Sequence, residues 1–149
     1  MLLFPGCNPE SKHDYKTLNQ KRFGSEFPLG FHLDITDTAS LYDIYISSRI
    51  NRALLEGNHL DLNITLISPS GDSTVSELSL PIASETLLLD RRKIVSVRKK
   101  GGIYDIEWLY LYNTSISEAG RWRLEIDIDN KEGLREALIG LGIKYEQQR

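Results

Sequence analysis

Apolar and polar residues alternate along most of this chain. The alternating segments are short, and their apolar positions lie two residues apart: Phe31, Leu33 and Ile35; Tyr42, Ile44 and Ile46; Leu60, Leu62, Ile64 and Leu66; Leu78, Leu80 and Ile82; Trp122, Leu124, Ile126 and Ile128; Ile139, Leu141, Ile143 and Tyr145. A period of two places one face of a β-strand on a core and the other face in water. Two further strands are predicted at 93–98 and 103–112.

Turn-forming residues separate these segments at 37–40, 68–72, 100–102 and 118–120. About eight short strands joined by polar turns predict an all-β fold, an antiparallel and jelly-roll-like β-sandwich. Short helices are predicted within 48–55 and 131–138. The length of 149 residues fits one domain, and a single cysteine cannot form an internal disulfide, so the fold must depend on packing.

That single cysteine, Cys7, follows the short apolar run 2–6 and precedes a polar stretch. This arrangement is typical of the end of a bacterial lipoprotein signal. The small Gly6 gives a signal peptidase access to the bond that it cleaves, and the Cys7 thiol takes a diacylglycerol as a thioether. A complete signal has an apolar core of about 7–15 residues, so we expect the printed chain to lack the start of this signal. The alternative is a buried or free thiol after a chance apolar start.

This prediction divides the chain into three parts. Residues 1–7 are the remaining end of a lipoprotein signal, residues 8–26 are a flexible tether, which is polar and lacks periodicity, and residues 27–149 are the β-sandwich domain. No apolar run approaches the roughly 20 residues of a membrane-spanning helix. We therefore expect attachment to the membrane through the lipid on Cys7, in the cell envelope, at the periplasmic face or the surface of the outer membrane. The formal net charge of −3 gives no argument for a nucleic-acid partner.

Catalytic chemistry is not evident in the sequence. It contains neither a nucleophile-elbow motif nor a glycine-rich phosphate loop, and no metal-ligand spacing is visible among its three histidines. Asp127, Asp129 and Asn130 carry oxygen ligands suited to Ca²⁺, but a strand face and a turn account for them more simply. The sequence therefore predicts that the chain is not an enzyme, and it predicts no catalytic residue, metal or cofactor.

Six basic residues within ten positions form a candidate partner-binding patch: Arg91, Arg92, Lys93, Arg98, Lys99 and Lys100. An acidic partner or anionic lipid headgroups would bind such a patch. The alternative is a solvated hairpin whose cations keep an edge strand from pairing with other chains.

The strand at 103–112 carries an aromatic row on one face: Tyr104, Ile106, Trp108, Tyr110 and Tyr112. Because Asp105 and Glu107 occupy the opposite face, the row is predicted to line the core. An exposed row that stacks on sugar rings is the alternative. Arg49, at the end of another strand, is expected to brace the following loop by bonding carbonyls or a carboxylate.

Several segments, taken in order, resemble the gliding motility-associated lipoprotein GldH family of Bacteroidetes. They are Cys7 and the polar stretch after it, a strand leading into Asp37 and Thr38, the strand 42–49 that ends in Arg49, the strand 58–62, the turn 68–71, and the closing segments 119–126 and 138–144. The chain departs from the family pattern at the basic segment 90–100 and at 126–130.

The resemblance implies a non-enzymatic, lipid-anchored envelope protein. In gliding relatives such a protein is an accessory or structural component of the motility apparatus, which is linked to protein secretion across the outer membrane. The expected partners are the membrane, through Cys7, and envelope proteins of that apparatus. The alternative function is a surface lipoprotein whose β-sandwich binds glycans through exposed aromatics.

Overall fold

The computed structural model describes residues 11–55, 59–82, 94–129 and 131–148. Its described part is built mainly from nine strands: β1 (Ser11–Thr17), β2 (Leu29–Ile35), β3 (Leu41–Asn51), β4 (His59–Ile67), β5 (Ser73–Pro81), β6 (Ile94–Lys100), β7 (Ile103–Ser115), β8 (Gly120–Ile128) and β9 (Leu138–Gln147). Its helices are single turns: 3-10 turns at Gln20–Arg22 and Arg52–Leu54, and α1 (Phe23–Glu26) and α2 (Lys131–Leu134). The all-β prediction is confirmed.

The strands form two antiparallel sheets, one of five strands in the order β1-β9-β3-β7-β6 and one of four in the order β2-β8-β4-β5. The pairs are nested around the β4–β5 hairpin: β3 pairs with β7, β2 with β8, and β1 with β9. This nesting, in which a long folded-over hairpin supplies both sheets, is the topology of a jelly roll. β6 adds a fifth strand beside β7. The prediction of a jelly-roll-like sandwich is therefore confirmed.

The core lies between the two sheets and contains most of the apolar positions of the period-two segments. Phe31, Ile44, Leu62 and Leu124 are fully or almost fully buried. The indole of Trp108 on β7 is also fully buried, and its N–H donates to the Pro81 carbonyl at the end of β5, at 2.9 Å. This hydrogen bond joins the two sheets, so the core face of β7 carries the tryptophan as predicted.

The N-terminal segment differs from the predicted tether. Residues 8–10 lie outside the described residues, but β1 pairs with β9 over its whole length, from Ser11 opposite Glu146 to Thr17 opposite Gly140. Leu18 and Phe23 are buried, so this segment belongs to the sandwich. The reason is that an edge strand gains backbone hydrogen bonds from a neighbour without contributing a full apolar face. A strand of this kind leaves no period-two signal in its sequence.

Two predicted helices are much shorter than expected. Residues 48–51 continue β3, so only Arg52–Leu54 forms a 3-10 turn, and α2 is a single turn at Lys131–Leu134. Within the described residues, no helix combines the length and apolar character needed to cross a bilayer.

Ser48 provides a test of the core. This residue lies on the core face of β3, and its hydroxyl has no hydrogen-bond partner among the described residues. Leaving a buried hydroxyl unpaired costs about 1–3 kcal/mol. Ser48→Ala should therefore raise the free energy of unfolding by roughly 1 kcal/mol, measured by chemical denaturation. Ser47→Ala, on the outer face of the same strand, is the matched control and should be nearly neutral. A loss of stability in Ser48→Ala would contradict the assignment of an unpaired hydroxyl.

Candidate functional site

A groove of about 480 Å³ lies on the outer face of the five-stranded sheet. Sites for small ligands typically have volumes of about 300–1,000 Å³. The groove is lined mainly by polar side chains from four of the five strands: His13 and Tyr15 on β1, Ser47 and Arg49 on β3, Ser96 and Arg98 on β6, and Asp105 and Glu107 on β7. Because these positions alternate with core positions, a rigid sheet holds them.

The register of the sheet arranges the outer face in rows that run across all five strands. One row consists of Thr17, Gly140, Arg49, Asp105 and Arg98, and the next consists of Tyr15, Gly142, Ser47, Glu107 and Ser96. Neighbouring strands in a sheet lie about 4.8 Å apart. Side chains from distant parts of the sequence are thereby brought into contact.

Glycines on β9 create the space that Tyr15 occupies. A Cβ on Gly140 would overlap the Tyr15 ring and its hydroxyl, and a Cβ on Gly142 would lie 2.8 Å from the ring carbon Cδ2. The ring therefore fills the volume above both glycines, while 46% of the residue stays exposed. Burial is the main reason why the pKa of Tyr15 is raised, so its hydroxyl remains neutral at physiological pH and can both donate and accept hydrogen bonds.

Arg49 and Asp105 form a two-pronged ion pair between β3 and β7. Arg49 Nε donates to Asp105 Oδ1 at 2.8 Å, and Nη2 donates to Oδ2 at 3.0 Å. These hydrogen bonds are the main reason why the pKa of Asp105 is lowered and that of Arg49 raised. Because the side chains are 52% and 43% exposed, the pair adds little stability, and its effect is to fix both groups in position. Of the two kinds of partner expected for Arg49, the structure shows a carboxylate, but it lies on the neighbouring strand β7 and not in the loop that Arg49 was expected to brace.

Lys144 compensates the second carboxylate of the groove. Its Nζ lies 2.8 Å from Glu107 Oε1, 3.5 Å from Glu146 Oε1 and 4.3 Å from the centroid of the Tyr45 ring. Burial, together with the carboxylates around it, raises the pKa of Tyr45 to about 12. Arg98, which lies opposite Asp105 in the sheet, also lines the groove and makes no ion pair with another described residue.

The predicted basic patch is described only in part. Arg98, Lys99 and Lys100 lie exposed on the edge strand β6, where the Lys99 Nζ is 5.1 Å from the centroid of the Tyr104 ring. Arg91, Arg92, Lys93 and the lipidation candidate Cys7 lie outside the described residues. Of the three described cations, Arg98 alone lines the groove.

The aromatic row of β7 is mostly turned to the core. Ile106 and Trp108 are buried, Tyr104 and Tyr110 are partly buried, and Tyr112 is 65% exposed. The aromatic side chain in the groove is instead Tyr15, which the sequence interpretation placed in the tether. Glycine inside a strand often marks the close approach of another group. The alternation of Gly140 and Gly142 with apolar residues on β9 is the signal that could have indicated such an approach.

Comparisons with known proteins give little for this chain. No protein-family model matches it, and no curated protein matches it. A solved structure that it resembles is that of a serine protease of Aeromonas sobria, with 20% sequence identity and a TM-score of 0.39. The alignment covers 98% of this chain and 28% of the protease chain, so this chain spans just over a quarter of the length of that protein.

This comparison contradicts the prediction that the chain is not an enzyme, because the matched structure is that of an enzyme, and we withdraw that prediction. A TM-score of 0.39 is too low for the likeness to support protease activity in this chain.

The Arg49–Asp105 pair predicts how the Asp105 carboxyl titrates in acid. Because the folded-state pKa of Asp105 is lowered, the pair stabilises the fold fully above the unfolded-state pKa, and this contribution is lost as the pH falls through the folded-state value. The carboxyl carbon of Asp105, followed by NMR, should titrate below the ordinary aspartate range. Arg49→Gln should raise that midpoint, whereas Arg135→Gln, an exposed arginine outside the groove, should not. Equal midpoints in the parent and Arg49→Gln would contradict the pairing.

Proposed function

We propose that this chain is a lipid-anchored protein of the bacterial cell envelope and an accessory or structural component of a gliding motility apparatus or an associated secretion apparatus. The anchor is assigned to Cys7, on the strength of the Gly6–Cys7 junction. The type of apparatus is inferred from the ordered segments that resemble the GldH family. Its partners are the membrane and envelope proteins.

The observation that carries the binding role is the position of the described cations. Arg98, Lys99 and Lys100 are consecutive and exposed on β6, and among the described strands β6 is the outermost one of its sheet. An edge strand presents unpaired backbone groups in addition to its side chains, and several cations together speed the encounter with an acidic surface. An acidic envelope protein is therefore the partner that we assign to this edge.

Lipid attachment is tested in a bacterial host, with a complete lipoprotein signal sequence fused ahead of Gly6 and Cys7. The parent should incorporate labelled palmitate and enter the detergent phase on phase separation. Cys7→Ser should lose both properties, because no other thiol is present to form the thioether. Palmitate labelling that persists in Cys7→Ser would refute the anchor.

Partner binding is tested with the tagged, lipidated chain purified from membranes. A double variant, Lys99→Ser with Lys100→Ser, should recover less of its partners at low salt and show a weaker dependence on salt, since charge attraction is screened by ions. The thermal midpoint should hardly move, because exposed charges add little stability.

The matched control removes two exposed cations elsewhere, Lys21→Ser with Arg22→Ser, and should retain the partners. Unchanged recovery in the β6 variant would refute the binding role. Aggregation of that variant would instead assign the two lysines to protection of the edge strand.

A further inference from the structure

We propose that the groove on the outer face of the five-stranded sheet binds an acidic oligosaccharide, with a sugar ring packed on Tyr15 and a sugar carboxylate bound by Arg98. This site is separate from partner binding at Lys99 and Lys100, and it requires neither the lipid nor the apparatus proposed above.

Tyr15 provides a preformed platform. Its ring is supported from below by Gly140 and Gly142, and its strand is held by pairing with β9 along its whole length. An aromatic face that is already in place loses little conformational freedom when a ligand packs on it. The C–H face of a pyranose ring is apolar and flat enough to pack on such a surface, and the exposed part of Tyr15 is available for it.

Arg49 and Asp105 provide a donor and an acceptor side by side, next to that platform. Tyr15 and Arg49 lie on rows that adjoin across the glycines. The Tyr15 hydroxyl lies over Gly140, the residue that pairs with Arg49. Two neighbouring sugar hydroxyls can each donate and accept, so one can donate to the carboxylate while the other accepts from the guanidinium. The Ser47 and Ser96 hydroxyls, one row further along, extend the polar lining.

The exposed guanidinium of Arg98 favours an acidic sugar over a neutral one. Asp105 is paired with Arg49, and Glu107 shares Lys144 with Glu146, whereas Arg98 lines the groove without an ion pair to another described residue. An arginine binds a carboxylate through two parallel N–H donors, a geometry that a neutral hydroxyl cannot match. A carboxylated sugar packed on Tyr15 can therefore contact the platform, the donor–acceptor pair and the Arg98 guanidinium together.

The experiment uses the printed 149-residue chain and isothermal titration calorimetry with three probes of similar length: oligogalacturonate, the neutral galacto-oligosaccharide and oligoglutamate. Oligogalacturonate should bind at least tenfold more tightly than either of the other two, and its affinity should fall as salt is added. The proposal is overturned if no saccharide binds. It is also overturned if oligoglutamate binds as tightly as oligogalacturonate, because that result would indicate an acidic peptide as the ligand.

Variants separate the platform from the cation. Tyr15→Ser should weaken binding of both saccharides about tenfold or more, whereas Tyr15→Phe, which keeps the ring, should retain most of the affinity. Arg98→Gln should reduce the affinity for oligogalacturonate to that for the neutral saccharide. Lys100→Gln, which removes the same charge from the same strand outside the groove, is its control and should have little effect.

Gly140→Ala offers a second way to remove the platform. The added Cβ meets the far end of the Tyr15 side chain, which can swing away, whereas at Gly142 the added Cβ would lie 2.7 Å from the Asp14 backbone carbonyl. Gly140→Ala should therefore lose saccharide binding while it keeps the parent's thermal midpoint, even if Tyr15→Ser weakens the sheet. Equal losses in Arg98→Gln and Lys100→Gln, or full binding by Gly140→Ala, would overturn the proposal.

Discussion

The structure depends on the packing of two apolar sheet faces against each other, because the single cysteine excludes an internal disulfide. Side chains from the five-stranded sheet also form hydrogen bonds across this interface. The Trp108 indole donates to the Pro81 carbonyl, and the Tyr145 hydroxyl accepts from the backbone N–H of Asp34 at 2.9 Å. A buried aromatic with a polar tip is stable only when that tip is paired. These two bonds therefore join the sheets and pair the polar atoms of the two aromatic side chains.

Sequence periodicity identified the strands that bury one full face. β2, β4, β8 and β9 alternate, and the structure buries most of their predicted core positions. Ile139 on β9 is an exception, because the register of β9 against β3 shifts there and Leu138 is buried instead. The sequence interpretation did not identify β1, because its side chains are nearly all polar and its stability comes from backbone pairing with β9. The sequence predicts a short helix from Ser48, but the structure continues β3 to Asn51 and buries the polar Ser48 on its core face.

The groove could be predicted only in fragments. The chemistry of a guanidinium is enough to predict that Arg49 pairs with a carboxylate. Which carboxylate it pairs with cannot be predicted from the sequence, because Asp105 is 56 positions away and reaches Arg49 only through strand pairing. The basic patch was visible because its members lie within ten positions of the sequence. The site in the structure instead draws on five strands, and its central aromatic residue is on the strand that periodicity missed. Contiguous motifs can thus be found from one sequence, whereas a site assembled by register requires the fold.

The early start of β1 limits how far an anchored molecule could extend from its membrane. Four residue steps separate Cys7 from Ser11, and a fully extended chain covers at most about 14 Å over that distance. A lipid on Cys7 would hold the sandwich directly on the headgroups, with the β1 edge of the five-stranded sheet nearest to the bilayer. The domain of such a molecule would stay within a thin layer at the membrane surface. Any partner or saccharide would have to enter that layer to reach it.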